Sequence, residues 1–320
     1  ERSMKAIMAL VMLGLSTAAL ADVTIGGGFG YRYDSTEAGS AAKSTKDRLR
    51  ADLVASSKIN DQTNAVVSLR TGSFNSAWDD VGGNAGLKTV GLNLAYVEYA
   101  ALDNVKVTLG KFNQPWATSS SLFFDKDVKP EGLAVAYTNK LGFVNASSVT
   151  LTEGGANPDA KVTSLQVGSK KDVFGLAVSG AVGLQSYKNT IQAYKVQQAF
   201  LNVGTKFAGK PVTLFVDTLK NKSAATDGAA LAYGVKFGNA VNPKEWDVAV
   251  LHQKVEAHAQ YDLWQDSDIA GAQGNHEGNG FQGTYVIAKN WKLNGKYFNT
   301  KRGVSQESYK RALVDVGYTF

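Results

Sequence analysis

Sixteen segments of about ten residues alternate apolar and polar side chains with period two, and the connections between them are alternately short and long. The segments begin near Val23, Arg48, Asn64, Gly91, Val105, Leu133, Phe143, Val162, Phe174, Ala199, Val212, Leu231, Trp246, Phe281, Trp291 and Lys310. Seven short connections hold turn residues, among them Asn60-Asp61, Asp103-Asn104, Lys171-Asp172 and Lys289-Asn290. Eight long ones fall between them, at 36–46, 71–89, 113–131, 153–160, 189–194, 221–228, 256–279 and 303–308. An ordinary all-β chain has no reason to keep such order. An up-and-down barrel in a membrane must keep it, with short turns on one rim, long loops on the other and an even strand number. The predicted fold class is an all-β transmembrane antiparallel β-barrel of about 16 strands; the segment boundaries also admit fourteen or eighteen.

The two faces of each segment differ in the manner this fold requires. Val23, Ile25, Phe29 and Tyr31 share one face of the first segment, and Phe174, Leu176, Val178, Val182 and Leu184 one face of the ninth. Their partner faces carry Thr, Gly, Ser, Asn, Gln and Lys. The fourth and seventh segments alternate poorly, so pattern alone does not set their facing. In the last segment Phe320, Tyr318, Val316, Val314 and Ala312 lie on one face, and Thr319, Gly317, Asp315, Leu313 and Arg311 on the other. A soluble sheet rarely ends on an uncovered aromatic edge. A closed barrel has no such edge.

At the other end, Lys5 precedes an apolar run from Ala6 to Leu15 and then Ala19-Leu20-Ala21, the pattern of a cleaved secretory leader spanning 1–21 with extra residues before Met4. Residues 22–320 then form one barrel domain. The leader's apolar core is shorter than the roughly 20 residues a spanning helix needs, and no later stretch is long enough. Composition fits the same fold: mean hydropathy is −0.17, with 33 Gly, 13 Tyr, 14 Phe, only 5 Pro and no Cys. A soluble domain of this length needs continuous apolar runs for its core, which are nearly absent. Without Cys, disulfides and thiolate chemistry are excluded. The net charge of +6 is too dispersed to point to nucleic acid.

The connection after the fifth segment is unusual. Phe112-Asn113-Gln114-Pro115-Trp116 leads through Ser119–Ser121 to Leu122-Phe123-Phe124-Asp125-Lys126-Asp127-Val128-Lys129-Pro130-Glu131-Gly132. Four aromatics and two prolines belong in a loop packed against something. The closing segment ending in Phe320, the sixteen-segment pattern and this third loop together resemble the Gram-negative outer-membrane general-diffusion porin family. Gly110 to Gly132 is similar to the corresponding region of a group of bacterial porins. That resemblance implies a third loop folded into the barrel to narrow a pore, and a location in the bacterial outer membrane among lipid and lipopolysaccharide. It also implies a homotrimer, and a closing strand whose Tyr318 and Phe320 are read by the barrel assembly machinery. The glycines Gly26, Gly27, Gly28 and Gly30 would let a neighbouring barrel approach closely.

With the apolar faces toward lipid, Arg32, Arg48, Arg50, Arg70 and Lys106 form a basic pore wall on neighbouring strands. The constriction loop carries Trp116, Phe123 and Phe124, and it presents Asp125, Asp127 and Glu131 across the lumen. Opposed charges at a constriction orient dipolar solutes. Counted along all strands, ten inward cations face five inward carboxylates, which predicts a weak anion preference offset by the loop acids. In and beside the seventh long loop, His252, His258 and His276 with Asp262, Asp266, Asp268 and Glu277 match no metal-ligand spacing, and the loop reads as hydrated and acidic. No cofactor and no catalytic residue are assigned, because no nucleophile and base stand in a persuasive order. The expected function is passive diffusion of small hydrophilic solutes and ions. The alternatives are a substrate-selective channel for anions of phosphate type and, less favoured, a structural barrel or adhesin, since about sixteen strands leave an aqueous lumen.

Overall fold

The computed structural model describes residues 23–72, 76–82, 88–152, 158–271 and 273–320. The expected leader, 1–21, lies outside the described residues. Sixteen barrel strands follow in order: β1 Val23–Ala38, β2 Ser44–Asn60, β3 Thr63–Thr71, β4 Val90–Leu102, β5 Val105–Lys111, β6 Glu131–Thr138, β7 Phe143–Thr152 and β8 Ala160–Val173. The second half comprises β9 Leu176–Lys188, β10 Lys195–Phe207, β11 Lys210–Asn221, β12 Ala229–Gly238, β13 Trp246–Val255, β14 His276–Ala288, β15 Trp291–Arg302 and β16 Glu307–Thr319. Each pairs antiparallel with its sequence neighbours. β1 also pairs with β16, from Gly28 opposite Thr319 to Ala38 opposite Tyr309, which closes the barrel. Gly27 and Phe320 then exchange both backbone hydrogen bonds at 3.1 Å, so the last residue completes the ladder.

Burial is inverted relative to a soluble protein. Val182 is 62% exposed on the outside, whereas Gln166 is 1% exposed and Asp217 0% on the inside. An apolar exterior over a polar interior is stable only in lipid. The two segments whose pattern is poor have specific explanations. In β4 a bulge lets Ser68 pair with Leu94 and Leu69 with Leu92, leaving Asn93 as the extra residue. The bulge switches parity: Val90 and Leu92 point outward before it, Val97 and Tyr99 after it, and Leu94 is buried inward. In β7 the inward face lies beneath the third loop, so Val149, 1% exposed, replaces a polar lumen residue.

One turn also moves. Instead of lying at Lys171-Asp172, the β8–β9 hairpin turns at Phe174 and Gly175, with φ of 50° and 78°. Two positive φ values define the primed turn that matches strand twist, and Gly175 meets that demand without strain. Phe174 therefore belongs to the turn rather than to the apolar face of β9.

Candidate functional site

Two long loops, not one, enter the lumen. Loop 3, residues 112–130, crosses from β5 to the opposite wall. Trp116, Leu122, Phe123 and Phe124 are all at most 5% exposed and pack with Val149, Val162, Val196, Leu219 and Ala232 from the inner faces of β7 to β12. Burying each large side chain contributes about 1.5–3 kcal/mol, which offsets the entropy of ordering a long loop. Polar bonds fix the register of docking. Trp116 Nε1 donates to Ser164 Oγ at 2.5 Å, Gln166 brackets Ala117 with two bonds of 2.8 Å, and Thr118 and Ser120 both donate to buried Asp217 at 2.9 and 3.0 Å. The three predicted loop aromatics are thus anchors and do not line the pore.

Loop 7, residues 256–275, packs on loop 3. The Trp264 ring lies 5.4 Å from that of Trp116. Gln260 donates to the Phe123 carbonyl at 2.7 Å, and the Asp125 backbone N–H donates to the Trp264 carbonyl at 2.7 Å. A single-turn helix, α1 Ser267–Ala270, follows; it is capped by Asp266 and ended by Gly271 with φ 72°. Its Ile269 and Ala270 bury against Leu251 and Phe298. The expectation of a hydrated loop is therefore corrected, because Trp264 and Ile269 give it an apolar underside. The histidines go elsewhere: His276 bonds Gln253 and the Gln273 carbonyl, and His252 bonds Asn279.

The basic wall stands across a lumen cavity of about 1580 Å³, lined by Arg32, Arg48, Arg50 and Arg70 on one side and Asp125, Asp127, Asp266 and Asp268 on the other. Each wall cation has a carboxylate partner. Arg32 meets Asp315 at 2.6 Å, Arg48 meets Asp80 at 3.1 Å, Arg50 meets Asp52 at 3.1 Å and Arg70 meets Asp127 at 3.2 Å. Lys296 meets Asp268 at 2.8 Å and Arg311 meets Asp34 at 2.7 Å. These six cations match six carboxylates, with Asp52 bonded by Arg70 as well as by Arg50. Two of those carboxylates, Asp80 and Asp268, sit in loops 2 and 7 and were missed by counting strands. Lys106 lies away from the cavity and pairs with Glu98 at 2.9 Å. Glu131 does line the cavity, but it bonds Lys111 at 2.6 Å rather than a wall arginine.

Sequence reasoning also missed Trp78 of loop 2, around residues 76–82. Its ring lies 4.3 Å from the Arg32 guanidinium and 4.7 Å from that of Arg50, each stack stabilising by about 0.5–1 kcal/mol. Gly30 makes room for it, since a Cβ there would come 2.8 Å from the ring. This corrects the expectation for Gly27 and Gly30. Gly30 faces the lumen, and a Cβ at Gly27 would come 2.7 Å from the Phe320 ring, so neither offers a surface to another barrel. At the seam, Tyr318 stacks on Phe320 at 6.3 Å and on Trp291 at 5.0 Å, an aromatic girdle at the short-turn rim.

In the loops, where charge is least matched, acidity is shifted. Burial, then the neighbouring Asp266, pushes the Asp125 carboxyl up to about 7. Burial, then Asp268, also raises Asp266. For Asp268 burial acts in the same upward direction, but Lys296, Arg311 and Arg32 outweigh it and hold the carboxyl below its usual range.

Residues 33–172 match the family model described as "Putative porin". No curated protein matches the chain. Among solved structures, the high-pH structure of Pseudomonas putida OprB is similar at a TM-score of 0.68 and 10% identity, covering 93% of this chain and 94% of that one. Salmonella typhi OmpF in complex with daunomycin is similar at 0.60 and 12%, covering 94% and 98%. Acinetobacter baumannii OccAB4 is similar at 0.54 and 8%, covering 93% and 98%. Residues 33–172 thus carry the match to that family, and the sixteen-strand barrel, narrowed from within, has the fold of these outer-membrane porins.

Proposed function

We propose that this porin is a general-diffusion channel for small hydrophilic solutes and ions whose constriction is nearly balanced in charge. One observation carries the proposal: every cation of the wall within the cavity, including Lys111 on Glu131 and Lys236 on Asp247, is paired with a carboxylate. A channel that captures anions needs unpaired cations aimed into the pore, and an Arg already bonded to Asp would have to give up that partner. Opposed but balanced charges instead hold a transverse field that orients dipolar solutes and binds none of them tightly. Arg32, Arg48, Arg50 and Arg70 supply the positive side, and Asp127 with the loop acids the negative side. Trp116, Phe123 and Phe124 keep loop 3 in place.

A homotrimer goes with this reading, supported by the likeness to porins alone. Export, and insertion through the barrel assembly machinery using Tyr318 and Phe320, belong to it as well. The test is planar-bilayer conductance with phosphate or chloride as the anion. Conductance that rises linearly with concentration for both supports general diffusion. Saturation with phosphate in the millimolar range would favour the selective alternative.

A further inference from the structure

The seventh loop does more than brace the third. We infer that loop 7 is a second selectivity element of this channel: Asp266, brought beside Asp125 of loop 3, forms with it the carboxyl pair that decides the sign of ion preference. The inference deepens the channel reading and rests on it.

The geometry comes first. The bond from the Asp125 N–H to the Trp264 carbonyl, 2.7 Å, fixes the two loops at positions only two residues from Asp266. Both carboxyl-bearing residues line the lumen cavity. Asp125 accepts from the Asp127 N–H at 2.8 Å and Asp266 from the Asp268 N–H at 2.9 Å; Ser121 of loop 3 also donates to Asp266. Among the described residues neither carboxylate has a cation within ion-pair distance. Lys296, whose charge acts on Asp266, is held by Asp268 at 2.8 Å. Asp127 is taken by Arg70 at 3.2 Å, with Arg50 at 3.9 Å.

The charge balance then leaves four groups. The six wall pairs cancel, as do Lys111 with Glu131 and Lys236 with Asp247. On loop 3, Lys126 and Lys129 have no carboxylate partner among the described residues; Lys129 donates instead to the Lys126 carbonyl. Against these two cations stand Asp125 and Asp266. When the pair is protonated, the constriction carries the excess positive charge of the two lysines. When it is ionised, the four charges cancel. Because burial and mutual repulsion raise both carboxyls, Asp125 to about 7, the change falls near neutral pH rather than near pH 4. The same burial draws the Lys129 ammonium below its usual range, which works in the same direction as pH rises. The channel should favour anions in acid and lose that preference, moving toward cations, as pH rises through neutrality.

The experiment is the reversal potential of the full-length porin in a planar bilayer under a low-salt potassium chloride gradient, from pH 5 to pH 9. The parent is expected to shift toward cations by a factor of about two to three in permeability ratio per unit charge gained, the effect of one charge across about 7 Å of water. Asp266→Asn should shrink the shift and move it to lower pH, because Asp125 is then relieved of its neighbour. Asp125→Asn with Asp266→Asn together should abolish it, with conductance and heat-modifiable mobility retained. A pH-flat parent, or an Asp266→Asn profile identical to the parent's, overturns the inference. Asp127→Asn, on loop 3 but already paired with Arg70, is the comparison: its profile should keep the parent's midpoint, and a shift as large as that of Asp266→Asn would also overturn it. A channel that is ohmic but flat in pH refutes the carboxyl pair alone, whereas a barrel that conducts nothing refutes the channel reading beneath it.

Discussion

Trp264 and Asp125 meet through a backbone hydrogen bond of 2.7 Å, and this joins the third and seventh loops inside the barrel. Neither loop touches the other in sequence. Together they present one acidic face to a wall of arginines, so the constriction is a joint product of both.

Trp264→Ala should loosen loop 3 without unfolding the barrel. Replacing a buried Trp costs about 3–5 kcal/mol where the cavity cannot collapse, but the barrel ladder does not depend on it. Expected outcomes are a larger and noisier single-channel conductance and a lower temperature for heat modification. Conductance and noise equal to the parent's would show that loop 7 does not hold loop 3.

Replacing Arg48, Arg50 and Arg70 by Gln removes three cations and leaves Asp80, Asp52 and Asp127 without them. Reversal potentials in a low-salt gradient should move clearly toward cations. In about 1 M salt, where the screening length is roughly 3 Å, most of the change should vanish. An unaltered potential at low salt would mean that these arginines do not face the pore.

Gly30→Val tests the position of Trp78. A Cβ at residue 30 would lie 2.8 Å from the indole, so the ring must leave its place between Arg32 and Arg50. Altered conductance with normal barrel yield is expected, along with changed tryptophan fluorescence. A parent-like emission spectrum would place Trp78 elsewhere.

Deleting Phe320 removes both backbone bonds to Gly27 and the ring that covers it. Secretion should continue while the heat-modifiable, compact form falls sharply in the membrane fraction. Normal yield of that form would count against a role for the terminal aromatic in insertion.

Much of this architecture is legible in the sequence because it is local. Period-two facing, turn residues and the alternation of short and long connections depend on neighbours in the chain, so the sixteen strands follow from them; the inward third loop rests on its own aromatics and prolines and on the family resemblance. The bulge at Asn93 is not legible, because it exists only relative to Ser68 and Leu69 on β3. Loop 7 carries a fainter form of the signal in loop 3, with Tyr261, Trp264 and Ile269 amid acids. Its partners, however, lie far off in sequence: Gln260 bonds Phe123, 137 positions away. Charge counting placed Arg32, Arg48, Arg50 and Arg70 on the lumen wall, but it added Lys106, which lies away from the cavity, and omitted Asp80 and Asp268, which reach that wall from loops.

The most direct test of the account is single-channel recording of the folded barrel at neutral pH. An open lumen narrowed by two docked loops predicts discrete, ohmic conductance steps with only weak preference between potassium and chloride. Folded barrel that inserts into the bilayer yet gives no steps, or steps that pass a single sign of ion, would contradict it.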